Sequence, residues 1–471
     1  MKIKLGILLV LINTLILEAQ NPVNSFINNQ LLENANVSLL VEDLNTAEII
    51  CSYREKNLTI PASTLKLVTT ATALEMLGSD YRFETKLMVD AEISKDSILN
   101  GNLYIHGGAD PTLGSEKLGD KDFFPNWIRA IKLAGINAID GRIMVDESIF
   151  EQQVINPKWT WEDMGNYYAP GIHGISYLDN TFRMYFRSGD VGTTPEILRT
   201  EPKIDGLGIE NHLKSSSIGY DNAYFYGAPY SLERSIYGEI PANRNEFIVK
   251  GDIPNPALLL AQHLHSKLVE NGIRIANFPI VTVIPHSSTR TIYTHYSPPL
   301  NAIITETNIK SNNHFAEYIF KFISAHNGEI GTTNQSISTI RSFWKSKGLP
   351  VDELMQHDGS GLSPCNAVSA KFYVKLLMYM KNKSKFAADF YNSLAISGGR
   401  GTLSTFLVNT ALESKIHAKS GTIEKVKCYA GYIELNNRTL VFAILVNNPN
   451  GTSHAVVSKI EQFLLNISKL N

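Results

Sequence analysis

The segment from Pro61 to Glu75 constrains the fold more than any other part of the chain. It reads Pro-Ala-Ser-Thr-Leu-Lys-Leu-Val-Thr-Thr-Ala-Thr-Ala-Leu-Glu, in which apolar and small residues recur at helical spacing. Pro61 turns the chain, and Ser63 is a residue type that favours a helix N-terminus. The pattern therefore predicts a buried helix. Because residues three apart share a helix face, Lys66 is expected to reach back to the Ser63 hydroxyl.

This pair indicates a nucleophile with its base. A serine hydroxyl reacts at neutral pH only after a base removes its proton, and a lysine can do so only when it is itself uncharged. Burial beside another cation favours the uncharged lysine. The spacing alone is a weak signal, since it recurs at Ser342 and Lys345, which we interpret as an ordinary serine and lysine on an amphipathic helix surface.

The length of the chain predicts more than one domain. At 471 residues it exceeds the roughly 250–300 residues that a single hydrophobic core usually serves. From about Tyr81 to His286 the sequence changes to short strands, glycines, prolines and aromatics, and regular helical patterns return afterwards. We therefore predict a split domain, residues 20–82 and 287–471, interrupted by inserted β-rich accessory material at 83–286.

Two further short motifs follow the serine helix in order. Ser311-x-Asn313 lies on a predicted helix-to-helix turn, and Lys419-Ser420-Gly421 lies on a predicted strand that leads into a hairpin. Taken alone, Ser311 and Asn313 would be helix caps and Lys419 a solvated strand residue. The joint occurrence of three motifs in contexts that fit one cleft between sheet and helices favours a catalytic role instead.

With these motifs the sequence resembles the penicillin-recognising serine acyltransferases. More narrowly, it resembles the D-alanyl-D-alanine carboxypeptidase/endopeptidase family typified by penicillin-binding protein 4 (DacB-like). The narrower resemblance rests on the long gap between the first two motifs and on Gly107-Gly-Ala-Asp-Pro-Thr112, Asp179-Asn180 and Asp358-Gly-Ser-Gly-Leu-Ser363. It implies an α/β (α+β) fold: a beta-lactamase/transpeptidase-like domain with an antiparallel sheet flanked by helices, plus inserted β-rich domains.

The resemblance also implies roles for individual residues. Ser63 would attack the carbonyl of a terminal D-Ala-D-Ala bond in a peptidoglycan stem peptide, with Lys66 as base, and beta-lactams would acylate the same serine. Lys419 and Ser420 would bind the terminal carboxylate, and Ser311 would relay a proton to the leaving amine. Asn313 would hold the peptide amide and Lys66, Gly421 completes the third motif, and the backbone amides of Ser63 and Thr422 would form the oxyanion hole.

Two departures from the family pattern are visible. Ser420 stands where threonine is commoner, which keeps the hydroxyl, and Pro364 stands where an arginine often follows the glycine-rich loop. Two alternatives remain open. A beta-lactamase would share the motifs but needs a deacylating base that the sequence does not reveal, and a non-catalytic penicillin or wall sensor would keep the fold. The sequence does not distinguish carboxypeptidase from endopeptidase action. It also leaves open the diamino acid of the stem peptide, the oligomeric state and the role of the inserted domains.

The charge of the chain and its N-terminal segment indicate which partners and which compartment to expect. The net charge of −2 leaves no basic electrostatic field that would attract nucleic acid, so nucleic acid is not an expected partner. The sequence of residues 1–19 predicts an export signal that ends at Ala19, and an uncleaved anchor is the alternative. Export predicts a periplasmic protein, and peripheral association with the membrane or the cell wall stays open. Cys51, Cys365 and Cys428 suit neither a disulfide framework nor a zinc site; at most one pair could form a disulfide, and buried free thiols are predicted. No metal or cofactor is expected.

Overall fold

The computed structural model describes residues 22–283 and 289–470. The predicted export signal, residues 1–19, lies outside the described residues. None of the helices in the described part of the chain is long and apolar enough to cross a bilayer. The helices are α1 (22–27), α2 (Lys66–Leu77), α3 (Phe124–Leu133), α4 (Pro256–Glu270), α5 (Leu300–Lys310), α6 (Asn313–Ala325), α7 (Thr333–Ser346), α8 (Ala370–Asn382), α9 (Ala387–Asn392) and α10 (Ser453–Ile467). Short 3₁₀ helices cover Ala62–Leu65, Trp161–Asp163, Leu178–Asn180, Val351–Glu353 and Gly401–Leu403.

The strands follow the same order along the chain. They are β1 (Asn36–Asp43), β2 (Ile49–Tyr53), β3 (Glu84–Val89), β4 (Ile98–Leu99), β5 (Leu103–His106), β6 (Ala138–Ile139), β7 (Ile143–Asp146), β8 (Thr181–Ser188), β9 (Glu196–Glu201), β10 (Gly208–Asn211), β11 (Lys214–Ser216), β12 (Asn222–Tyr226), β13 (Glu233–Pro241), β14 (Arg244–Asp252), β15 (Arg274–Ile275), β16 (Ile280–Val281), β17 (Arg290–Tyr296), β18 (Leu354–Met355), β19 (Ala367–Val368), β20 (Ala395–Ile396), β21 (Ile416–Ile423), β22 (Val426–Glu434) and β23 (Thr439–Asn447).

The chain divides into two compact units. Among the described residues, one unit comprises 22–79, Ile304–Asn312 and 337–470, and the other comprises Asp80–Ile303 and Asn313–Ser336. The split domain boundaries predicted from composition stay a prediction.

An antiparallel sheet forms the centre of the first unit. Its strand order is β2-β1-β23-β22-β21-β20, and every neighbouring pair is antiparallel. Alternation along β1 gives the sheet two buried faces: Leu39 and Val41 belong to the apolar cluster that includes α10, while Ser38 accepts the Ala370 N–H of α8 on the other side. A mixed fold with an antiparallel sheet flanked by helices confirms the predicted fold class.

Helix α2 lies in the interior of this unit. Every residue from Lys66 to Leu74 is buried, as the apolar and small composition predicts. The second serine and lysine at this spacing, Ser342 and Lys345, lie on α7 with both side chains exposed. Their interpretation as an ordinary surface pair is confirmed. Helix α1 is shorter than the helix expected from Val23 to about Asn34. The cause is Asn29, whose side chain bonds the Phe26 carbonyl and the Leu31 N–H and so competes with helical bonding.

The second unit is built from several smaller sheets. A five-stranded sheet has the order β16-β7-β5-β3-β17, and a three-stranded sheet has the order β14-β8-β9. The other sheets are β15-β6-β4 and β10-β13-β11, with β12 paired to β13. One apolar cluster that includes Trp127, Phe182 and Leu264 lies beneath these sheets and helices α3 and α4.

Candidate active site

The Ser63 hydroxyl lies on a tight turn at the entrance to α2. We call this turn, formed by Pro61 and the 3₁₀ helix Ala62–Leu65, the serine turn. The 3₁₀ helix Ala62–Leu65 runs directly into α2, and Thr64 stabilises the turn by donating from Oγ1 to the Pro61 carbonyl at 2.7 Å. Ala62 has φ +46°, a left-handed conformation that is uncommon for a residue with a Cβ and that is often found at functional sites. The turn therefore fixes the direction in which the next side chain, Ser63, leaves the backbone.

Lys66 lies one helical turn after Ser63 and contacts it. Its Nζ donates to Ser63 Oγ at 3.0 Å and to the Ser360 carbonyl at 2.7 Å, and the residue is 0% exposed. The predicted contact between serine and lysine is thus present in the structure. Because the Ser360 carbonyl fixes Nζ from a second direction, the Lys66 side chain is held in place toward Ser63.

A glycine-rich loop between β18 and β19 supplies that carbonyl. The Asp358 carboxylate organises the loop by accepting hydrogen bonds from the Gly361 N–H at 2.8 Å, the Ser363 N–H at 2.6 Å and Asn366 Nδ2 at 2.8 Å. Gly361 has φ +82°, and a Cβ there would lie 1.9 Å from the Ala62 carbonyl oxygen. Glycine at this position therefore permits the loop to lie directly against the serine turn.

Ser311 and Lys419 form a second contact in the same unit. Lys419 Nζ donates to Ser311 Oγ at 3.0 Å and to the Ser420 carbonyl at 2.8 Å. Ser311 has φ +59°, again a left-handed residue with a side chain. Lys419 is fully buried, and burial together with the nearby Lys66 charge holds its pKa well below the ordinary lysine value. The alternative of a solvated strand residue is therefore wrong for Lys419.

Strand β21 passes directly beside the serine turn. A Cβ on Gly421 would lie 2.5 Å from the Pro61 carbonyl oxygen and 3.0 Å from the Ser63 nitrogen. Only a residue without a side chain allows this approach. The neighbouring hydroxyls of Ser420 and Thr422 have different partners: Ser420 Oγ donates to Thr402 Oγ1 at 2.7 Å, and Thr422 Oγ1 accepts from Lys427 Nζ at 2.8 Å.

Asn313 is the one predicted site residue that falls in the second unit. It is the first residue of α6, and its Nδ2 donates to the Tyr168 carbonyl at 2.9 Å. The structure therefore brings together Ser63, Lys66, Ser311, Lys419, Ser420, Gly421 and Thr422 within the first unit.

The sequence did not reveal the residues that hold the chain just before the serine turn. The Asn447 side chain accepts from the Ile60 N–H at 2.7 Å and donates to the Ile60 carbonyl at 3.0 Å, in the manner of a paired strand. Cys428 Sγ also contacts the Ile60 carbonyl at 3.4 Å, and Thr59 pairs with the backbone of Val368. No motif marks Asn447, because its role depends on a contact with a residue almost four hundred positions earlier.

All three cysteines are free thiols, as predicted, but they differ in burial. Cys51 and Cys428 are buried, and burial raises the pKa of each thiol to about 12. Cys365 is exposed, because it lies at the outer end of the glycine-rich loop, so the prediction of burial is wrong for this residue. Within residues 22–283 and 289–470, no group of three His, Cys, Asp or Glu side chains is arranged to hold a metal ion.

Comparison with known proteins places this geometry in context. The family model described as the D-Ala-D-Ala carboxypeptidase 3 (S13) family matches residues 19–467. A D-alanyl-D-alanine carboxypeptidase of an Actinomadura species is 26% identical over 457 residues, covering 93% of this chain and 83% of the relative. The D-alanyl-D-alanine carboxypeptidase DacB of Haemophilus influenzae is 24% identical over 426 residues, covering 87% of this chain and 84% of the relative.

The fold has a close counterpart among solved structures. The crystal structure of penicillin binding protein 4 (dacB) from Haemophilus influenzae matches with a TM-score of 0.80 and 20% identity, covering 95% of this chain and 98% of that chain. At this level of identity the likeness is evidence for the fold.

Proposed function

The chain belongs to the D-Ala-D-Ala carboxypeptidase 3 (S13) family, and from that premise we propose that Ser63 is the nucleophile and Lys66 its general base. The protein is a serine-type D-Ala-D-Ala carboxypeptidase that binds penicillin. The observation that carries the site assignment is the 3.0 Å contact between Lys66 Nζ and Ser63 Oγ, made by a lysine that is wholly withdrawn from solvent. Serine and base are thus within hydrogen-bond reach, as a nucleophile and its activating group must be.

Acylation then follows from the positions of the side chains. Uncharged Lys66 takes the Ser63 proton while Ser63 Oγ bonds to the carbonyl carbon of the penultimate D-alanine. The carbon–nitrogen bond to the terminal D-alanine breaks, and the proton that Lys66 took from Ser63 passes to the leaving amine by way of the Ser311 hydroxyl, which returns Lys66 to its uncharged form. Water later hydrolyses the ester and restores Ser63. The same acyl-enzyme forms when a beta-lactam opens on Ser63.

Two further groups stabilise the developing charges in this proposal. The backbone amides of Ser63 and Thr422 serve as the oxyanion hole, which is supported by the close approach of β21 to the serine turn at Gly421. The Lys419 ammonium and the Ser420 hydroxyl bind the carboxylate of the terminal residue. The role of Asn313 in holding the peptide amide stays a prediction from the family resemblance.

The substrate class is the peptidoglycan stem peptide that ends in D-Ala-D-Ala. Such peptides lie outside the cytoplasmic membrane, so we infer a periplasmic enzyme, in agreement with the export signal predicted at residues 1–19. Cleavage of peptide cross-links by the same site is a second reaction to be measured, because a cross-link also presents a D-alanyl carbonyl to the serine.

Two readouts on the mature full-length protein test the proposal. We expect release of D-alanine from N,N-diacetyl-L-lysyl-D-alanyl-D-alanine, and a persistent adduct of one benzylpenicillin that peptide mapping locates on Ser63. Rapid penicillin hydrolysis without an adduct would indicate a beta-lactamase. An adduct without D-alanine release would indicate a sensor. The absence of both an adduct and penicillin hydrolysis would refute the proposed site. A cross-linked muropeptide dimer in the same assay measures endopeptidase action.

Substitution of Gly421 by alanine should slow acylation strongly. The added Cβ meets the Pro61 carbonyl and the Ser63 nitrogen, so the serine turn or the strand must move. A displacement of about 1 Å can cost on the order of 10²-fold in rate. The measurement is the second-order rate constant of acylation by fluorescent penicillin. Gly219→Ala is the matched control, because nothing lies within 4 Å of a Cβ at that position. A wild-type acylation rate in Gly421→Ala would contradict the proposed packing.

A further inference from the structure

A row of hydroxyl groups lies along strand β21 and ends at Lys427. Ser420 and Thr422 are two residues apart on β21, so their side chains share one face and lie roughly 6.6 Å apart. Thr402 Oγ1 accepts from Ser420 at one end, and Lys427 Nζ donates to Thr422 Oγ1 at the other. We call Thr402, Ser420 and Thr422 the hydroxyl row. These groups and Lys427 all belong to the first unit.

The strand register fixes the position of Lys427. Lys427 of β22 lies directly opposite Thr422 of β21 in the antiparallel pair. Residues that face each other in such a pair project from the same side of the sheet, so the lysine follows Thr422 onto the face with the hydroxyl row. The contact is therefore a consequence of the hairpin and not of one flexible side chain alone.

Lys427 has no counter-charge in the described part of the protein. The residue is only partly exposed, and among residues 22–283 and 289–470 no carboxylate lies within 4.0 Å of its Nζ. Burial lowers the pKa of Lys427 below the usual lysine value. Withdrawing an ammonium group from water without a paired anion is unfavourable, so an anionic ligand at this position would be stabilised. Lys419, on the same strand as Ser420 and Thr422, has the Ser311 hydroxyl and the Ser420 carbonyl as its partners.

We propose that Lys427 is a substrate-binding residue that pairs with the terminal carboxylate of the bound peptide. The inference rests on the proposed function, which places that carboxylate at Lys419 and Ser420. A carboxylate that accepts hydrogen bonds from the hydroxyls of Ser420 and Thr422 would lie beside Thr422 Oγ1. Because Lys427 Nζ donates to that same oxygen, the carboxylate would be within reach of the lysine. Lys427 then favours peptides that end in a free carboxylate over the same peptides with an uncharged end.

Lys427 could instead serve only to orient the Thr422 hydroxyl. A lysine with that structural role would help acidic and uncharged ligands to the same extent, whereas a charge partner discriminates between them. Lys425 provides the matched control, because it lies two residues earlier on the same hairpin, carries the same charge and is exposed.

The test compares two ligands on two lysine variants. In full-length protein carrying Ser63→Ala, we would measure by NMR titration the Kd of N,N-diacetyl-L-lysyl-D-alanyl-D-alanine and of its C-terminal amide. For Lys427→Met we expect the Kd of the acid to rise about 5- to 20-fold, as for loss of a charge-assisted hydrogen bond, and that of the amide to change less than about twofold. Lys427→Arg should restore most of the preference, and Lys425→Met should leave both Kd values unchanged.

Kinetics on the protein with Ser63 intact provide a second readout. Lys427→Met should raise KM for the acid with kcat nearly unchanged, and the dependence of KM on salt should become weaker. Equal weakening of acid and amide, or no change in either, would overturn the proposal. Because ligand binding is measured without turnover, failure of this inference is distinct from failure of the proposed function, which the absence of an acyl-enzyme on Ser63 would show.

Discussion

Replacement of Ser63 by alanine is expected to abolish both the penicillin adduct and the release of D-alanine. Loss of a serine nucleophile typically lowers turnover by roughly 10⁴- to 10⁶-fold, because the covalent intermediate forms on its hydroxyl oxygen. The fold should be unaffected, since among the residues that the structure describes the hydroxyl has a single side-chain hydrogen bond, with Lys66 Nζ. Intact-mass measurement after brief exposure to benzylpenicillin, together with a D-alanine assay, checks the result.

The chain itself offers the matched control for this experiment. Ser342 precedes Lys345 at the same spacing on α7, but both are exposed and neither belongs to the site. Ser342→Ala should therefore acylate and turn over as the unmodified protein does. An adduct of undiminished amount on Ser63→Ala, with a normal thermal melt, would show that another residue is the nucleophile.

Replacement of Lys66 by methionine is expected to have the second-largest effect. The substitution keeps the length and apolar stem of the side chain but removes the group that contacts both Ser63 Oγ and the Ser360 carbonyl. Loss of a general base typically costs about 10²- to 10⁴-fold in rate. The free energy of unfolding should fall by about 1–3 kcal/mol, since the buried Ser360 carbonyl loses the Lys66 donor, and a thermal melt of the variant measures this loss. Stopped-flow measurement of acylation by a chromogenic cephalosporin gives the rate.

The pH dependence separates a base from a residue that only positions the serine. Acylation by the unmodified protein should rise with pH as the base loses its proton, and Lys66→Met should lack this rise. Lys345→Met, which removes an exposed lysine at the equivalent spacing, should retain the full profile. If Lys66→Met kept the rising limb, the base would have to be sought elsewhere in the unit.

Much of the site was predictable from the sequence because its parts are local. The contact between Ser63 and Lys66 follows from helix geometry, which places residues three apart on one face, and the burial of α2 follows from its composition. The antiparallel β21–β22–β23 series was also evident from alternation and turn residues. Ordered motifs were sufficient to indicate the family, which the match over residues 19–467 confirms.

Other elements of the site were invisible because they depend on long-range packing. Asn447 and Ile60 are 387 positions apart, and Lys66 meets Ser360 across 294 positions. No local pattern encodes such a meeting, and Cys365 was expected to be buried although its loop leaves it exposed. The glycine-rich loop was recognised only as part of the family resemblance, whereas the structure gives its physical role, the support of Lys66.

The sequence by itself determined which residues are candidates for the chemistry, their order along the chain and the elements on which they lie. Short-range spacing in helices and strands is set by backbone geometry, which every chain of this pattern shares. Only the tertiary structure decided that β21 lies against the serine turn and that Asn447 holds Ile60. These contacts arise when distant strands close into one sheet, and their register is fixed by packing across the whole unit and not by any single segment.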